Sequence, residues 1–242
     1  MIRNLFFWIA FPFLLPQALY VRRTAPRSAP AAGPAEGVVG NGEQIRLLAI
    51  GDSIIAGVGA STLSRALVGQ TATALAKAGN CSVSWRALGQ SGYASNKILQ
   101  LLVPQLPDVS FDYVIVSVGV NDITGLTSIR NWRRNLATLL YKLQTHSPNA
   151  LIAVAGMPPM HAFPLLPQPL RAAFGMRARV FDEVAKAVIG KQQGSLHIPL
   201  DFEPHPSRFA ADGYHPSEES YVEFGRRLAD RLLAAKAQTD AA

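Results

Sequence analysis

The chain has 242 residues, 49% of them hydrophobic, which is enough for one substantial α/β core. Its formal net charge is +7, but residues 1–30 hold four of the arginines and no acid, and no stripe of Lys and Arg interleaved with aromatic residues follows. These features argue against a nucleic-acid partner. The single cysteine, Cys81, excludes an internal disulfide, and we interpret it as a small core residue of a strand.

Residues 5–21 form an apolar stretch without a charged side chain. Its length is near the lower limit for crossing a bilayer, and Pro12 and Pro16 would bend a helix there. Two arginines follow at once, and the nearest site that resembles a signal-peptidase site, at residues 29–31, lies far from the apolar stretch. We therefore predict that residues 1–23 are an uncleaved membrane anchor or an interfacial helix.

Two other interpretations of this N-terminal segment stay open. As a cleaved export signal, it would send the protein to the periplasm or the extracellular space, whereas an uncleaved segment would make the protein membrane-associated. As a third alternative, it would be a helix that packs on the apolar surface of the protein's own body.

The remainder divides into a predicted linker over residues 24–44, a domain over residues 45–236 and a tail over residues 237–242. The linker is rich in Pro, Ala and Gly and has no hydrophobic period. Within the domain, apolar β-branched runs alternate with amphipathic segments. The predicted strands are 45–50, 81–88, 113–118, 151–155 and 196–200. The predicted helices are 61–78, 96–102, 128–144, 170–191 and 217–235. This alternation predicts a single, doubly wound parallel sheet of five strands.

Polar and glycine residues follow three of the predicted strands, in the sequences Gly51-Asp-Ser53, Gly89-Gln-Ser-Gly92 and Gly119-Val-Asn-Asp122. A fourth polar block, Asp212-Gly-Tyr-His215, stands just before the last helix. The carboxyl ends of parallel strands meet at one edge, where open α/β sheets bind their ligands. Taken alone, each block has a plain structural interpretation as a helix cap or a turn. Together they supply a hydroxyl, backbone donors, an amide donor and an acid–base pair.

The four blocks, in this order and spacing, resemble the motifs of the GDSL, or SGNH, hydrolase family. The resemblance covers residues 45 to about 235. It implies a flavodoxin-like three-layer α/β/α sandwich and serine hydrolase chemistry that uses neither a metal ion nor an organic cofactor. The residue after Ser53 is Ile54 rather than the leucine that names the motif, and this change keeps the apolar character.

The resemblance also implies roles for particular residues. Ser53 is expected to be the nucleophile and His215 the general base, oriented by Asp212. The backbone N–H groups of Ser53 and Gly92, with the side chain of Asn121, are expected to form the oxyanion hole. These roles agree with chemistry, since an imidazole activates a serine hydroxyl and a carboxylate fixes the imidazole tautomer.

Three neighbouring residues leave choices open. Gly89 lies in the same loop as Gly92 and competes with it for the oxyanion role. Asp52 and Asp122 belong to the motifs, and we expect both to order their turns rather than to transfer protons. The four other histidines are interpreted as surface or loop residues, and they are His146, His161, His197 and His205.

The loop over residues 156–175 is apolar and rich in proline, and we predict that it forms an acyl-binding wall. The residues expected to contact substrate are Met157, Met160, Phe163 and Leu166. This wall favours acyl, aryl or lipid-like esters as substrates. The alternatives are a loop that merely packs over the sheet edge, a carbohydrate O-acetylesterase, an acyltransferase, or a non-catalytic lipid-binding protein of the same fold.

Overall fold

The computed structural model describes residues 2–200 and 205–240, and within them the side chains of residues 7–200 and 205–239. The strands are β1 Glu36–Val39, β2 Gln44–Gly51, β3 Ser82–Gly89, β4 Tyr113–Ser117, β5 Leu151–Ala155 and β6 Ser195–Ile198. The helices are α1 Ile2–Thr24, α2 Leu67–Gly79, α3 Ser95–Lys97, α4 Val120–Thr124, α5 Ile129–His146, α6 Leu170–Ile189 and α7 Glu218–Asp240.

The strands form one six-stranded sheet in the order β1-β3-β2-β4-β5-β6. Strands β2 to β6 are parallel, and their order is the flavodoxin-like one. Buried apolar residues form one cluster on each side of the sheet, with α5 and α6 on one face and α2 and α7 on the other. This confirms the predicted three-layer α/β/α sandwich and its five parallel strands, and adds a sixth, antiparallel strand.

The additional strand corrects the prediction of a linker over residues 24–44. Strand β1 pairs antiparallel with β3 at the sheet edge, and an isolated bridge joins Ala32 to Thr62. In this segment, Gly37 and Gly40 flank the apolar pair Val38 and Val39, so the segment lacks the alternation of apolar and polar residues from which a strand could be predicted. A side chain at Gly37 would lie 2.7 Å from the indole ring of Trp85, because the edge strand crosses closely over that ring.

The N-terminal segment is a helix that packs against α6, which is the third of the interpretations considered for it. The rings of Phe7 and Phe11 lie 6.2 and 6.5 Å from the ring of Phe174. The guanidinium group of Arg177 lies 4.7 Å from the centre of the Phe7 ring. Among the described residues, no helix is long and apolar enough to cross a membrane. The predicted membrane association and localisation stay predictions.

Other boundaries differ from the prediction by short segments. The helix predicted from residue 61 begins as α2 at Leu67, after a 3₁₀ turn over Leu63–Arg65. Helix α3 continues as a π-helical turn through Leu102. The five-residue helix α4 was not predicted, because it is too short to show a hydrophobic period. Helix α7 continues to Asp240 and so takes up most of the predicted tail, while residues 241–242 lie outside the described part.

Asp52 is a buried carboxyl group that orders the turn after β2. Its side chain is 2% exposed, and its Oδ1 accepts hydrogen bonds from the backbone N–H of Ile54 at 3.1 Å and from the Ser117 hydroxyl at 3.4 Å. Burial disfavours the charged form and raises the pKa of Asp52 to about 7. The group therefore ties the end of β2 to the end of β4 as a largely neutral acid at acidic pH.

We expect the substitution Asp52→Asn to weaken the pH dependence of stability. In the folded protein the pKa is about 7, above the usual 3.8, so the folded state binds a proton that the unfolded state releases between these values. The free energy of unfolding therefore falls as pH rises through this window. Asparagine keeps Oδ1 and carries no charge, so the decrease from pH 5 to pH 8 should be smaller by about 2–3 kcal/mol.

The measurement is urea unfolding of wild type and Asp52→Asn at both pH values. The exposed Asp108 supplies the control, since Asp108→Asn should leave the wild-type difference unchanged. Equal pH dependence of Asp52→Asn and wild type would show that Asp52 is already ionised in the fold at pH 5.

Candidate active site

Ser53 follows β2 directly, in a series of tight turns. The Ala56 N–H donates to the Asp52 carbonyl and the Val58 N–H to the Ser53 carbonyl, each at 3.0 Å. No helix begins at Ser53, so the alternative in which it caps a helix is not the arrangement seen. Gly51 allows this turn to lie against β4, because a Cβ at that position would overlap the Ser117 carbonyl oxygen.

Ser53, His215 and Asp212 form a continuous chain of hydrogen bonds. The Nε2 of His215 lies 3.0 Å from the Ser53 Oγ, and its Nδ1 lies 2.7 Å from the Asp212 Oδ2. The Asp212 Oδ1 also accepts the backbone N–H groups of Tyr214 and His215, each at 2.9 Å. The two imidazole nitrogens therefore face a hydroxyl and a carboxylate, as general-base activation of a serine requires.

Asp212 is held in its charged form. Burial raises its pKa, but hydrogen bonds from the Ser28 hydroxyl, from the backbone and imidazole of His215 and from the Tyr214 amide lower it to about 2. The Ser28 Oγ lies 2.6 Å from the Asp212 Oδ2. An ionised Asp212 accepts only, so it fixes the proton of His215 on Nδ1 and leaves Nε2 to accept from the serine.

The loop that carries His215 is held against the turn that carries Ser53. Gly59 has φ +97° and lies so close to the Pro216 carbonyl oxygen that a Cβ would overlap it. On the other side, the Tyr214 ring packs edge-on against the imidazole at 5.2 Å and against the Phe163 ring at 5.0 Å. These contacts limit rotation of the imidazole and keep it aligned with the serine.

The residues expected to form the oxyanion hole lie near His215, whose Nε2 is 3.0 Å from the Ser53 Oγ. No described residue accepts a hydrogen bond from the backbone N–H of Ser53 or of Gly92. The Asn121 Nδ2 donates to the Tyr93 carbonyl at 3.0 Å, which fixes the amide and leaves its second N–H. Gly92 and Asn121 border the same cavity as His215.

Gly89 has a different environment from Gly92. It ends β3, and a Cβ there would overlap the Ala56 backbone nitrogen, so its role is a close contact with the serine turn. At Gly92, which has φ +80°, a Cβ would meet nothing within 4 Å. Of these two glycines, only Gly92 lines the cavity that His215 borders.

Asp122 fixes the loop after β4. It is fully buried and accepts the backbone N–H and the hydroxyl of Ser95 at 2.8 and 2.6 Å. The Asn135 amide donates to the same hydroxyl at 2.9 Å, and burial raises the pKa of Asp122. Asp122 thus joins the start of α4 to α3 and fixes the backbone next to Asn121.

Two cavities border His215. The smaller, of ≈ 60 Å³, lies beside Ser53 and Phe163. The larger, of ≈ 560 Å³, has the size of a small-molecule site and runs from Gly92 and Asn121 between α1 and the start of α6. We call this larger cavity the cleft. Ser53 lines the smaller cavity only, and His215, whose Nε2 lies 3.0 Å from the Ser53 Oγ, lines both cavities.

The four residues predicted to contact substrate do not lie together. Leu166 lines the cleft, and Phe163 lines the smaller cavity. Met160 is fully buried in the core, and Met157 lines a separate depression of ≈ 230 Å³. The prediction for these two methionines is corrected, because the loop turns inward at Met160–Ala162 and uses its apolar side chains as core.

The structure adds site residues that the sequence did not reveal. Ser28 contacts Asp212, and apolar residues of α1 line the cleft. Ser28 stands in a Pro- and Ala-rich segment without a motif, so only the three-dimensional contact identifies it. Among the described residues, no group of three or more His, Cys, Asp or Glu is placed to bind a metal ion.

One further histidine has a carboxylate partner. His197 lies 2.8 Å from Asp182, which also accepts the Met157 N–H at 2.9 Å and pairs with Lys186. Burial raises the pKa of Asp182, but hydrogen bonds from His197, Lys186 and Met157 lower it to about 2. This pair joins β6, α6 and the loop after β5, at a distance from the serine turn.

Comparisons with known proteins identify the family of the chain. Residues 49–222 match the family described as GDSL-like lipase/acylhydrolase, and a comparison with curated protein sequences gives no match. A family 3 carbohydrate esterase from Clostridium thermocellum has a TM-score of 0.63 and 17% identity, over 80% of this chain and 99% of that one. A lipase/acylhydrolase from Enterococcus faecalis has a TM-score of 0.57 and 21% identity, over 77% of this chain and 94% of that one.

A family 2 carbohydrate esterase from Corynascus thermopiles (Myceliophthora fergusii) has a TM-score of 0.60 and 16% identity, over 88% of this chain and 69% of that one. At such identities these structures establish likeness of fold, whereas the family match covers most of the chain. The chain therefore belongs to the GDSL-like lipase/acylhydrolase family and is a carboxylic-ester hydrolase.

Proposed function

We propose that this protein cleaves carboxylic esters of apolar acyl groups through an acyl-serine intermediate on Ser53. The observation that carries the proposal is the hydrogen-bond chain from the Ser53 Oγ through His215 to Asp212, with distances of 3.0 and 2.7 Å. A serine hydroxyl is a poor nucleophile unless a neighbouring base removes its proton, and this arrangement supplies that base.

In the first half of the reaction, the Ser53 Oγ attacks the ester carbonyl carbon while His215 Nε2 takes the hydroxyl proton. The carbonyl oxygen becomes an oxyanion, which accepts from the N–H groups of Ser53, Gly92 and Asn121. The C–O bond to the alcohol then breaks, and His215 returns the proton to the leaving oxygen. Asp212 stabilises the imidazolium formed between these two transfers.

In the second half, water takes the place of the alcohol. His215 accepts a proton from the water as its oxygen attacks the acyl carbon, and the same donors stabilise the second oxyanion. The bond to the Ser53 Oγ breaks, the serine regains its proton from His215, and the carboxylic acid leaves. The residues themselves supply every proton transfer, so the proposed reaction requires no cofactor.

The lining of the cleft supports apolar acyl groups as substrates. Leu166, Leu170 and Phe174 border it on one side, and side chains of α1 border it on the other. A ligand pocket of this kind gains affinity from apolar surface and uses a few polar groups for orientation. Here those polar groups lie at the end beside His215.

A carbohydrate O-acetylesterase is the second candidate. It is favoured by the likeness of fold to the family 2 and family 3 carbohydrate esterases. An acetyl group needs little of the cleft, so this alternative predicts a preference for acetyl esters over longer acyl chains.

The test of the proposal is hydrolysis of p-nitrophenyl esters, from acetate to palmitate, by the full chain and by Ser53→Ala. We expect kcat to fall by at least roughly a thousandfold in Ser53→Ala, because the nucleophile is lost, while the folded structure stays intact. The exposed Ser110 supplies a control, and Ser110→Ala should keep the wild-type rate.

Hydrolysis that persists in a folded Ser53→Ala protein would remove Ser53 from the mechanism. A maximum at acetate, together with release of acetate from acetylated xylan, would favour the carbohydrate esterase. A maximum at longer chains would support the apolar acyl substrate.

We expect Asn121→Ala to lower kcat by about a hundredfold or more and to leave KM nearly unchanged, because the amide acts on the oxyanion that exists only in the transition state. Steady-state kinetics on the preferred ester measures both constants. The exposed Asn131 offers a matched control, whose Asn131→Ala variant should behave as wild type. A change in KM alone would make Asn121 a substrate-binding residue instead.

We expect Ser28 to act as a positioning residue through Asp212. Removing its hydroxyl in Ser28→Ala leaves the carboxylate three other donors, so kcat should fall by roughly fivefold to tenfold with KM unchanged. Ser28→Thr retains a hydroxyl and should restore most of the rate. A purely structural role would lower Tm in Ser28→Ala without lowering kcat, and that result would contradict this expectation.

A further inference from the structure

We propose that α1 is a wall of the substrate site, and that its side chains at the cleft set the acyl chain length that the enzyme accepts. The inference rests on the proposed function of Ser53 and adds to it the class of substrate: esters of apolar acyl chains that extend from the serine along α1. It assigns a binding role to a segment outside residues 49–222, the part that matches the family.

The cleft has two apolar walls and a polar end. Its ≈ 560 Å³ begin beside His215, Gly92 and Asn121 and continue between the two walls. The apolar side chains that line it include Phe11, Leu15 and Leu19 of α1, Leu166 of the loop before α6, and Leu170 and Phe174 from the start of α6. An acyl group bound to Ser53 would reach this mainly apolar space past His215, which lies 3.0 Å from the Ser53 Oγ and lines the cleft.

Two leucines of α1 have apolar surface that the fold does not cover. Leu15 is 43% exposed and Leu19 is 41% exposed, although α1 is packed on α6 through Phe7 and Phe11. Both leucines line the cleft, whereas the more exposed Phe13 of the same helix does not. Concave apolar surface of this kind beside a reactive group is the usual form of a binding pocket.

Side-chain hydrogen bonds fix the distance between the two walls. The Gln17 amide of α1 donates through Nε2 to the Gln168 carbonyl at 2.8 Å and accepts the Leu170 N–H through Oε1 at 3.0 Å. The same residue therefore holds α1 and the opposite wall together, between Leu15 and Leu19 in sequence. A wall held in this way can distinguish acyl chains by length, because it cannot simply move aside.

The two ends of α1 are also attached to the body. Near the N-terminal end, the buried Arg177 guanidinium lies 4.7 Å from the Phe7 ring and 5.3 Å from the Trp8 ring. Beyond the C-terminal end, the chain reaches Asp212 through the 2.6 Å hydrogen bond of Ser28. The helix is therefore a fixed part of the site, and the chain that leaves it touches the catalytic carboxylate.

The chemistry of the lining selects the occupant. A sugar placed in the cleft would meet mostly apolar side chains, with Arg22 and Thr124 as its further polar neighbours, and would gain little from the apolar surface. An alkyl chain gains from each methylene that it buries there. The occupant that fits is thus an acyl chain longer than acetyl.

The test compares kcat/KM for p-nitrophenyl octanoate and p-nitrophenyl acetate in the full chain. Leu19→Trp fills the cleft with a larger ring, so the octanoate-to-acetate ratio should fall by about tenfold or more. Leu15→Trp, one turn earlier on the same wall, should lower the ratio in the same direction. The control is Phe13→Trp, at a residue of α1 that is 83% exposed and does not line the cleft, and it should keep the wild-type ratio.

An unchanged ratio in folded Leu19→Trp and Leu15→Trp proteins would overturn the inference, as would an equal fall in Phe13→Trp. These outcomes leave the proposed function standing as long as hydrolysis depends on Ser53. If no ester is hydrolysed, the proposed function fails, and equilibrium dialysis of radiolabelled decanoate then tests the wall directly. Weaker binding by about tenfold in Leu19→Trp but not in Phe13→Trp would support the wall, and equal binding by all three proteins would overturn it.

Discussion

The geometry of the site depends on the close packing of the turn after β2. Ser53 lies in consecutive turns, and its position is fixed by backbone segments that press on the turn from several sides. Three glycines lie at these contacts. A Cβ at Gly51 would overlap the Ser117 carbonyl at the end of β4, and a Cβ at Gly89, the end of β3, would overlap the Ala56 nitrogen of the turn. Gly59 lies equally close to the loop that carries His215. Because protein interiors are close-packed, such contacts position a hydroxyl more firmly than its own rotamer preference does. The 3.0 Å distance to the imidazole is therefore a property of the surrounding backbone.

The two carboxyl groups beside the serine show how environment assigns roles to the same functional group. Asp52 is buried with few donors, and its pKa rises to about 7, whereas several donors bring the pKa of Asp212 down to about 2. Near neutral pH only Asp212 is fully charged, so it can support an imidazolium that forms during the reaction. Since the charge of Asp212 is stabilised in the folded state, its contribution to stability is present above pH 4 and is lost as pH falls toward 2. The carboxyl group in the turn is thus favoured in its neutral form, and the carboxyl group bonded to His215 in its charged form.

The sequence predicted the parts of the structure that depend on local pattern. Continuous β-branched runs identified the five parallel strands, and polar residues at their ends identified Ser53 and Asn121, because strand ends and turn residues have strong local signals. Other features depend on tertiary contacts and left no such signal. The four residues of β1 are too few to show a period, and Met160 looked like a loop residue because its burial arises only when the loop turns inward.

The position of the N-terminal segment also depends on tertiary contacts, and these contacts place it beside the candidate site. Its apolar residues have the composition of an anchor, and sequence alone does not reveal that they cover α6 and border a cavity next to His215. The residues that carry the chemistry lie within the segment that matches the family, while Ser28 and α1 lie before it. In enzymes that share a fold, the catalytic groups are tied to the sheet and the surrounding segments vary, so selectivity is set by what is added around the common site. Here Ser28 contacts Asp212, and side chains of α1 line the cleft. Under the proposed function, changes in α1 would alter the acyl chains that fit while leaving the hydrogen bonds among Ser53, His215 and Asp212 unchanged.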